Sequence, residues 1–356
     1  MLDRVFRLFG LHGSSFMAFI VSGGIAGGCA VPGVMASRTL RSSRERTATI
    51  LTIPFMNCGA KLPVFALLVS AFFPDGQAWM MLLITILSWS GALLAAKFLR
   101  STLFKGAATP FLLELPPYRL PTFRGLLIHT WERTSLYLRK AGTVILAISI
   151  LLWAMMTFPE LPETSREQFE QRRESILAET PEDIEAPAEA AAVEDEPKPV
   201  GKLRQQLRDV NAEEARAALM HSLAGRMGMA LEPLGSLCGF DWRTNVALIC
   251  GFAAKEIIVS TLGTAYSLGE VDPEESTSLS EHLAADPRWN PLVALSLIVF
   301  TIFYVPCFVT VVCIVKEAGS WRWGLFSLVF NTILAFGAAM AVYQLGSLAG
   351  YGVKAL

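Results

Sequence analysis

The chain has 356 residues, of which 53% are hydrophobic and 22 are Phe, and its mean hydropathy is positive, which excludes an ordinary soluble domain and selects a polytopic membrane protein of all-α class. Its formal net charge of −1 conceals an asymmetry: residues 159–220 hold 16 of the 31 acids and 8 of the 30 bases, so the remainder, with 15 acids and 22 bases, is basic. Six Cys with neither a CxxC pair nor a regular spacing argue against a zinc ribbon or a disulfide framework and imply free thiols.

In chain order, residues 1–13 form a short amphipathic lead-in. Arg4 and Arg7 before an apolar run ending in AGGC faintly resemble a lipoprotein leader, but after Cys29 the sequence continues as a proline break and a basic loop, so the run is not read as one. Residues 14–36 are split by glycines and Pro32, and each half is too short to span. A re-entrant hairpin and a broken spanning helix both fit; the bases on either flank favour the hairpin. Four Arg follow between residues 37 and 47, then an interrupted apolar run at 47–73, the uncharged-flank turn PDGQ at 74–77, and a charge-free run at 78–96.

Eight Lys or Arg lie between 97 and 140, so this loop and the four-Arg loop should face the cytoplasm and PDGQ the other side. The proline-rich PFLLELPPYRLP leads to TFRGLLIHTWERTSLYLRK, read as an interfacial helix with Trp131 and Tyr137 at headgroup level, and then a span at 141–158. Residues 159–220, with TPEDIEAPAEAAAVEDEPKP, read as a disordered or loosely helical charged insert. Beyond it come the amphipathic SLAGRMGMALEPLGSLCGF, an interrupted span at 243–268, an acidic loop, and charge-free spans at 291–315 and 323–346, the last anchored by Trp321 and Trp323. The expected fold is therefore six to seven transmembrane helices with broken or re-entrant segments in two pseudo-repeated halves, 1–158 and 221–356, separated by the insert.

The chemistry concentrates where helices should break. In PFMNCGAKLP, residues 54–63, Pro54 and Pro63 bracket a gap in which Asn57, Cys58 and freed carbonyls could replace an ion's water shell. Lys61 costs about 3 kcal/mol at the centre of a bilayer, so it needs a partner, and Glu256 in AAKEII is the expected one, with the neighbouring Lys255 pointing elsewhere; snorkelling to an interface is the bland alternative. Cys29, Cys58 and Cys307 sit beside Pro32, Pro54 and Pro306, whereas Cys238, Cys250 and Cys313 read as small hydrophobes. Thiol donors favour Fe(II), Cu(I) or Zn over Mg or Ca, with Met35 and Met56 as further soft donors. GxxxxGK[ST], HExxH and GxSxG are all missing from the sequence, so no nucleotide hydrolysis or other enzyme activity is expected of it.

GCAVPGVMASRTL at 28–40, PFMNCGAKLP at 54–63, ATPFLLELPPYRLP at 108–121, AAKEIIVSTLGTAY at 253–266 and YVPC at 304–307, in this order, resemble the membrane domain of the bacterial ferrous iron transporter family FeoB. The resemblance implies two facing gate regions, Cys29 and Cys58 in the first and Glu256 and Cys307 in the second, with Fe(II) as cargo and no tightly bound cofactor. It implies a multi-pass protein of the bacterial cytoplasmic membrane, a homo-oligomer in the lipid bilayer with no nucleic-acid partner. The family's N-terminal GTPase domain and first transmembrane helices have no counterpart in the matched residues, which points to a G-protein domain or chain acting in trans. The alternatives are a gate-domain transporter of Mn(II) or a nucleoside, and a non-transporting membrane scaffold; buried charge at Lys61 and Glu256 speaks against the scaffold.

Overall fold

The structure, a computed structural model, describes residues 2–24, 27–105, 122–178, 198–266 and 277–350, and among them there is helix but no strand. After α1 (Leu2–Leu8), α2 (Ser15–Phe19) continues as a π turn (Ile20–Gly24), and α3 (Ala30–Ala36) turns back along it. The two arms touch closely: a Cβ on Gly33 would lie 2.6 Å from Ser22 Cβ. Next come α4 (Ser43–Thr52) and α5 (Leu62–Phe72), two halves of one broken span, and the unbroken α6 (Gln77–Thr102).

Direction follows from side-chain pairings. Glu317 is bound by Arg38 and Arg46, and Arg44 Nη1 donates to the Lys105 carbonyl at 2.8 Å, so the start of α4 and the end of α6 share one face with the arginine loop, the basic face. The Ser15 hydroxyl meets that of Thr49 at 2.9 Å, so α2 runs alongside α4 from the basic face inward. The described parts of residues 14–36 thus form the two arms of a re-entrant hairpin that enter and leave on that face.

The second half begins with α7 (Phe123–Thr157), α8 (Glu163–Ala178), α9 (Lys198–His221), α10 (Leu223–Ala230) and the single turn α11 (Glu232–Gly235). The expected interfacial helix and the span after it are one 35-residue helix, because no proline lies between Phe123 and Thr157 to part them. The described parts of the charged insert are helical: α8 and α9 are bridged by Arg172–Glu213 at 2.6 Å and by Arg173–Glu214, and α9 buries Val210 and Leu219. Most of TPEDIEAPAEAAAVEDEPKP and all of PFLLELPPYRLP lie outside the described residues.

A second hairpin, α12 (Trp242–Ala253) and α13 (Ile257–Ala265), corrects the expectation of a span at 243–268. Its arms have 12 and 9 residues, about 18 and 14 Å of helix, too short to cross a 30 Å hydrocarbon layer. Its ends meet: the Arg243 guanidinium lies over the Tyr266 ring at 4.5 Å, and Trp289 Nε1 donates to the Tyr266 hydroxyl at 2.6 Å. Burial would raise the nearby Asp286 carboxyl, but hydrogen bonds from the Arg288 N–H and guanidinium, with the charge of Arg243, hold it below its ordinary value. Trp289 in turn stacks on Phe72 at 5.9 Å, which places this cluster, with α14 (Thr277–Ala285), on the face opposite the arginines.

From there α15 (Pro291–Phe303) and α16 (Phe308–Ala318) form a second broken span ending at Glu317 on the basic face, and α17 (Trp321–Leu348) returns. Counting each broken pair as one, segments 43–72, 74–102, 291–318 and 321–348 are long and apolar enough to cross a membrane. Hairpin, broken span and unbroken span thus occur twice with opposite direction, an inverted repeat. Single-cysteine reporters test it: Asp75→Cys and Glu281→Cys should react with an impermeant maleimide from one side of sealed vesicles, and Arg41→Cys and Ser320→Cys from the other. Reaction of Glu281→Cys on the same side as Arg41→Cys would contradict the inverted arrangement.

Candidate functional site

Each half contributes two helix interruptions, and local sequence explains them. Pro54 has no N–H to extend α4, which tightens into a 3₁₀ turn and ends; Pro63 then starts α5 in the first turn, where its missing donor is harmless. Pro32 occupies the first turn of α3 for the same reason, and Pro306 lies in the 304–307 gap before α16. Cys29, Cys58 and Cys307 each occupy the residue that opens the following helical segment, in extended conformation and with no side-chain cap bond. At the first hairpin tip Gly23 has φ +122°, and a Cβ there would lie 2.2 Å from the Asn57 carbonyl; Gly59 N–H donates to the Gly28 carbonyl at 2.9 Å. Only a residue without a side chain lets the tip reach the first gap.

The four interruptions meet around one cavity of about 510 Å³. Gly27–Val31 come from the first hairpin tip, Pro54, Met56 and Cys58–Lys61 from the first gap, Ala253–Glu256 from the second tip, and Pro306, Cys307, Val309 and Thr310 from the second gap. The three cysteines beside prolines all line it, each partly accessible, and Cys307 Sγ lies 3.1 Å from Thr310 Oγ1. Cys238 and Cys250 are buried elsewhere, Cys313 packs behind the cavity against Val31 and Val309, and the Pro32 and Asn57 side chains do not line it. Asn57 Oδ1 is buried without a hydrogen-bond partner. Among the described residues no three His, Cys, Asp or Glu come together closely enough to hold a metal ion.

The expected Lys61–Glu256 pair is not formed. Lys61, 1% exposed, donates to the carbonyls of Pro54 and Met56 at 3.1 Å each and of Ile302 at 2.9 Å. Its amine thus caps the carboxyl end of the first helix in each broken span, where freed carbonyls would otherwise face a dry interior. Lys255, 2% exposed, turns into the same cavity rather than away from it and reaches the Tyr304 carbonyl at 3.4 Å, while Glu256 is exposed at the rim. The remaining carbonyls are served likewise: Ser88 donates to Phe55 at 2.7 Å, Trp89 Nε1 to Gly24 at 2.8 Å and the Tyr304 hydroxyl to Leu248 at 3.1 Å. Sequence reasoning missed Lys255, Tyr304 and Thr310; the available signal was Tyr304 as the one tyrosine in an apolar run, two residues before Pro306.

Lys61→Met should therefore destabilise the fold, by about 2–5 kcal/mol, because it leaves buried carbonyls without donors. Unfolding of the purified chain in detergent measures this, with Glu256→Gln as control at less than about 0.5 kcal/mol. Equal losses in the two variants would restore the ion-pair explanation.

Two family models match the chain. One, described as "Nucleoside recognition" and called Gate, covers residues 1–72 and 138–321; the other, described as "Ferrous iron transport protein B C terminus", covers residues 81–133. Among curated proteins, an Fe(2+) transport protein A/Fe(2+) transporter FeoB fusion protein of Porphyromonas gingivalis is 36% identical over 98% of this chain and 39% of its own length. Fe(2+) transporters FeoB of Helicobacter pylori and Campylobacter jejuni are 34% and 35% identical over 96% and 94% of this chain. The chain spans 50% and 47% of those two relatives. No solved structure matches. With the Gate model covering most of its length and the ferrous iron transport protein B model matching the residues between its two parts, the chain belongs to the Gate family and is a membrane domain of the FeoB type.

Proposed function

We propose that the chain carries Fe(II) across a bacterial cytoplasmic membrane through the thiol-lined cavity. The observation that carries this reading is the convergence of Cys29, Cys58 and Cys307, from three different interruptions, on one cavity between the two hairpin tips. The relatives named as Fe(2+) transporters supply the cargo.

The chemistry is consistent with a borderline metal. A hydrated dication reaching the rim first meets the exposed Glu256 carboxylate. Inside, thiols that lose their protons on binding, together with backbone carbonyls at the helix gaps, replace its waters. Hard cations such as Mg(II) do not displace thiol protons effectively, so they gain little from a lining whose side-chain donors are mostly sulfur, and that preference is the source of selectivity. A nucleoside fits the lining less well, since among the described residues it contains no aromatic ring on which a base could stack. A G-protein domain or separate chain acting in trans would supply the nucleotide-driven step for which this sequence has no phosphate loop.

Anaerobic uptake of radiolabelled Fe(II) into proteoliposomes tests the proposal. Cys58→Ser and Cys307→Ser should each lower uptake at least about tenfold, and Cys250→Ala should leave it within about twofold of the native rate. Uptake unchanged in both serine variants would remove the thiols from the mechanism.

A further inference from the structure

Between the cavity and the basic face, α3 and α16 lie against each other along a seam. Val31 and Val309, 4% and 9% exposed, close its inner end, where both also line the cavity. Cys29, Met35, Cys307 and Cys313 pack around that pair. At the outer end the Glu317 carboxylate, its side chain 8% exposed, accepts from Arg38 Nε at 3.0 and 2.9 Å, from Arg38 Nη2, and from Arg46 Nη2 at 2.6 Å. Glu317 belongs to the second repeat and both arginines to the first, so this cluster joins the halves across the seam. Thr310, Cys313 and Glu317 fall within about 60° of arc on α16, and Val31 and Met35 within about 40° on α3. Each helix therefore presents its soft donor, between a valine and a charge, to the same seam.

We propose that this seam is the basic-face gate of the path: the Arg38–Glu317–Arg46 cluster latches it, Val31 and Val309 plug it, and Met35 and Cys313 form the soft-donor step that an ion meets when it parts. Packing alone accounts for the two valines, but it gives no reason for a buried carboxylate shared by two guanidinium groups at the end of the same contact. One turn separates Cys313 from Glu317, so a dication held at Cys313 competes with Arg38 and Arg46 for the carboxylate, and arrival of cargo loosens the latch. The donor step rests on the Fe(II) reading; the gate does not.

Alkylation by an impermeant maleimide, applied from the basic face without iron and read residue by residue by mass spectrometry, tests the gate. Cys313 should react slowly in the native chain and at least about tenfold faster in Glu317→Gln, with Cys238 and Cys250, 0% and 1% exposed, unreactive in both. An unchanged Cys313 rate with those two still protected would overturn the gate. If Cys238 also reacts, the variant has lost its fold, and Arg38→Gln, which keeps Glu317 paired with Arg46, takes its place with a smaller rise expected; no rise there overturns the proposal equally. Anaerobic Fe(II) should then slow Cys313 alkylation in the opened variant several-fold. Faster alkylation with no Fe(II) protection would keep the gate and overturn the donor step at Cys313, while the iron reading itself stands or falls on uptake in the Cys58→Ser and Cys307→Ser variants.

Discussion

A bilayer interior supplies no water to a broken helix, so every carbonyl released by a break must find a donor within the protein. Lys61 meets that constraint for both broken spans at once: its amine holds the ends of the first at Pro54 and Met56 and of the second at Ile302. Without it, the gaps that open the cavity would cost several kcal/mol in unpaired carbonyls, and the two halves would lose a shared anchor at mid-depth. The lysine that looked like a member of an ion pair is the fastener that allows helices to stop inside the membrane.

The inverted repeat follows the same logic. Each hairpin is too short to cross, so its tip must end at mid-depth, and it can do so only against another interruption that offers backbone partners. The first tip bonds the first gap through Gly59 and Gly28, and the second hairpin bonds the second gap through Lys255 and Tyr304. Irregular backbone is thereby concentrated in one place, and that place is the cavity. The basic face is closed by the Arg38–Glu317–Arg46 cluster, while the opposite face is organised by Arg243, Asp286 and Trp289 around the ends of the second hairpin. The two faces are therefore held together by different residues, a carboxylate between two guanidinium groups on one and an aromatic and acidic cluster on the other.

Much of this was legible in the sequence, within limits set by what sequence encodes. PFMNCGAKLP announces its own gap, because two prolines nine residues apart cannot both lie inside a regular helix. The bases flanking residues 14–36 favour a hairpin over a span. The same reasoning failed at 243–268, where hydropathy does not distinguish a span from a hairpin: both bury the same apolar residues, and no basic loop marks either flank. The partner of Lys61 was misread because charge complementarity can be seen in a sequence and backbone acceptors cannot. Lys255 was misread because its direction was inferred from a regular helix, whereas residues 254–256 form a non-helical turn. Cys313 read as a small hydrophobe because a sequence does not show that α16 lays it beside Val31 and Val309.

The central claim, that helix gaps held apart by Lys61 create a soft-donor cavity for Fe(II), is tested most directly by X-ray absorption at the iron edge on the chain loaded with one equivalent of Fe(II) under anaerobic conditions. The account predicts sulfur in the first coordination shell, reduced when Cys58→Ser and Cys307→Ser are combined. A shell of oxygen and nitrogen alone, unchanged by those substitutions, would contradict it.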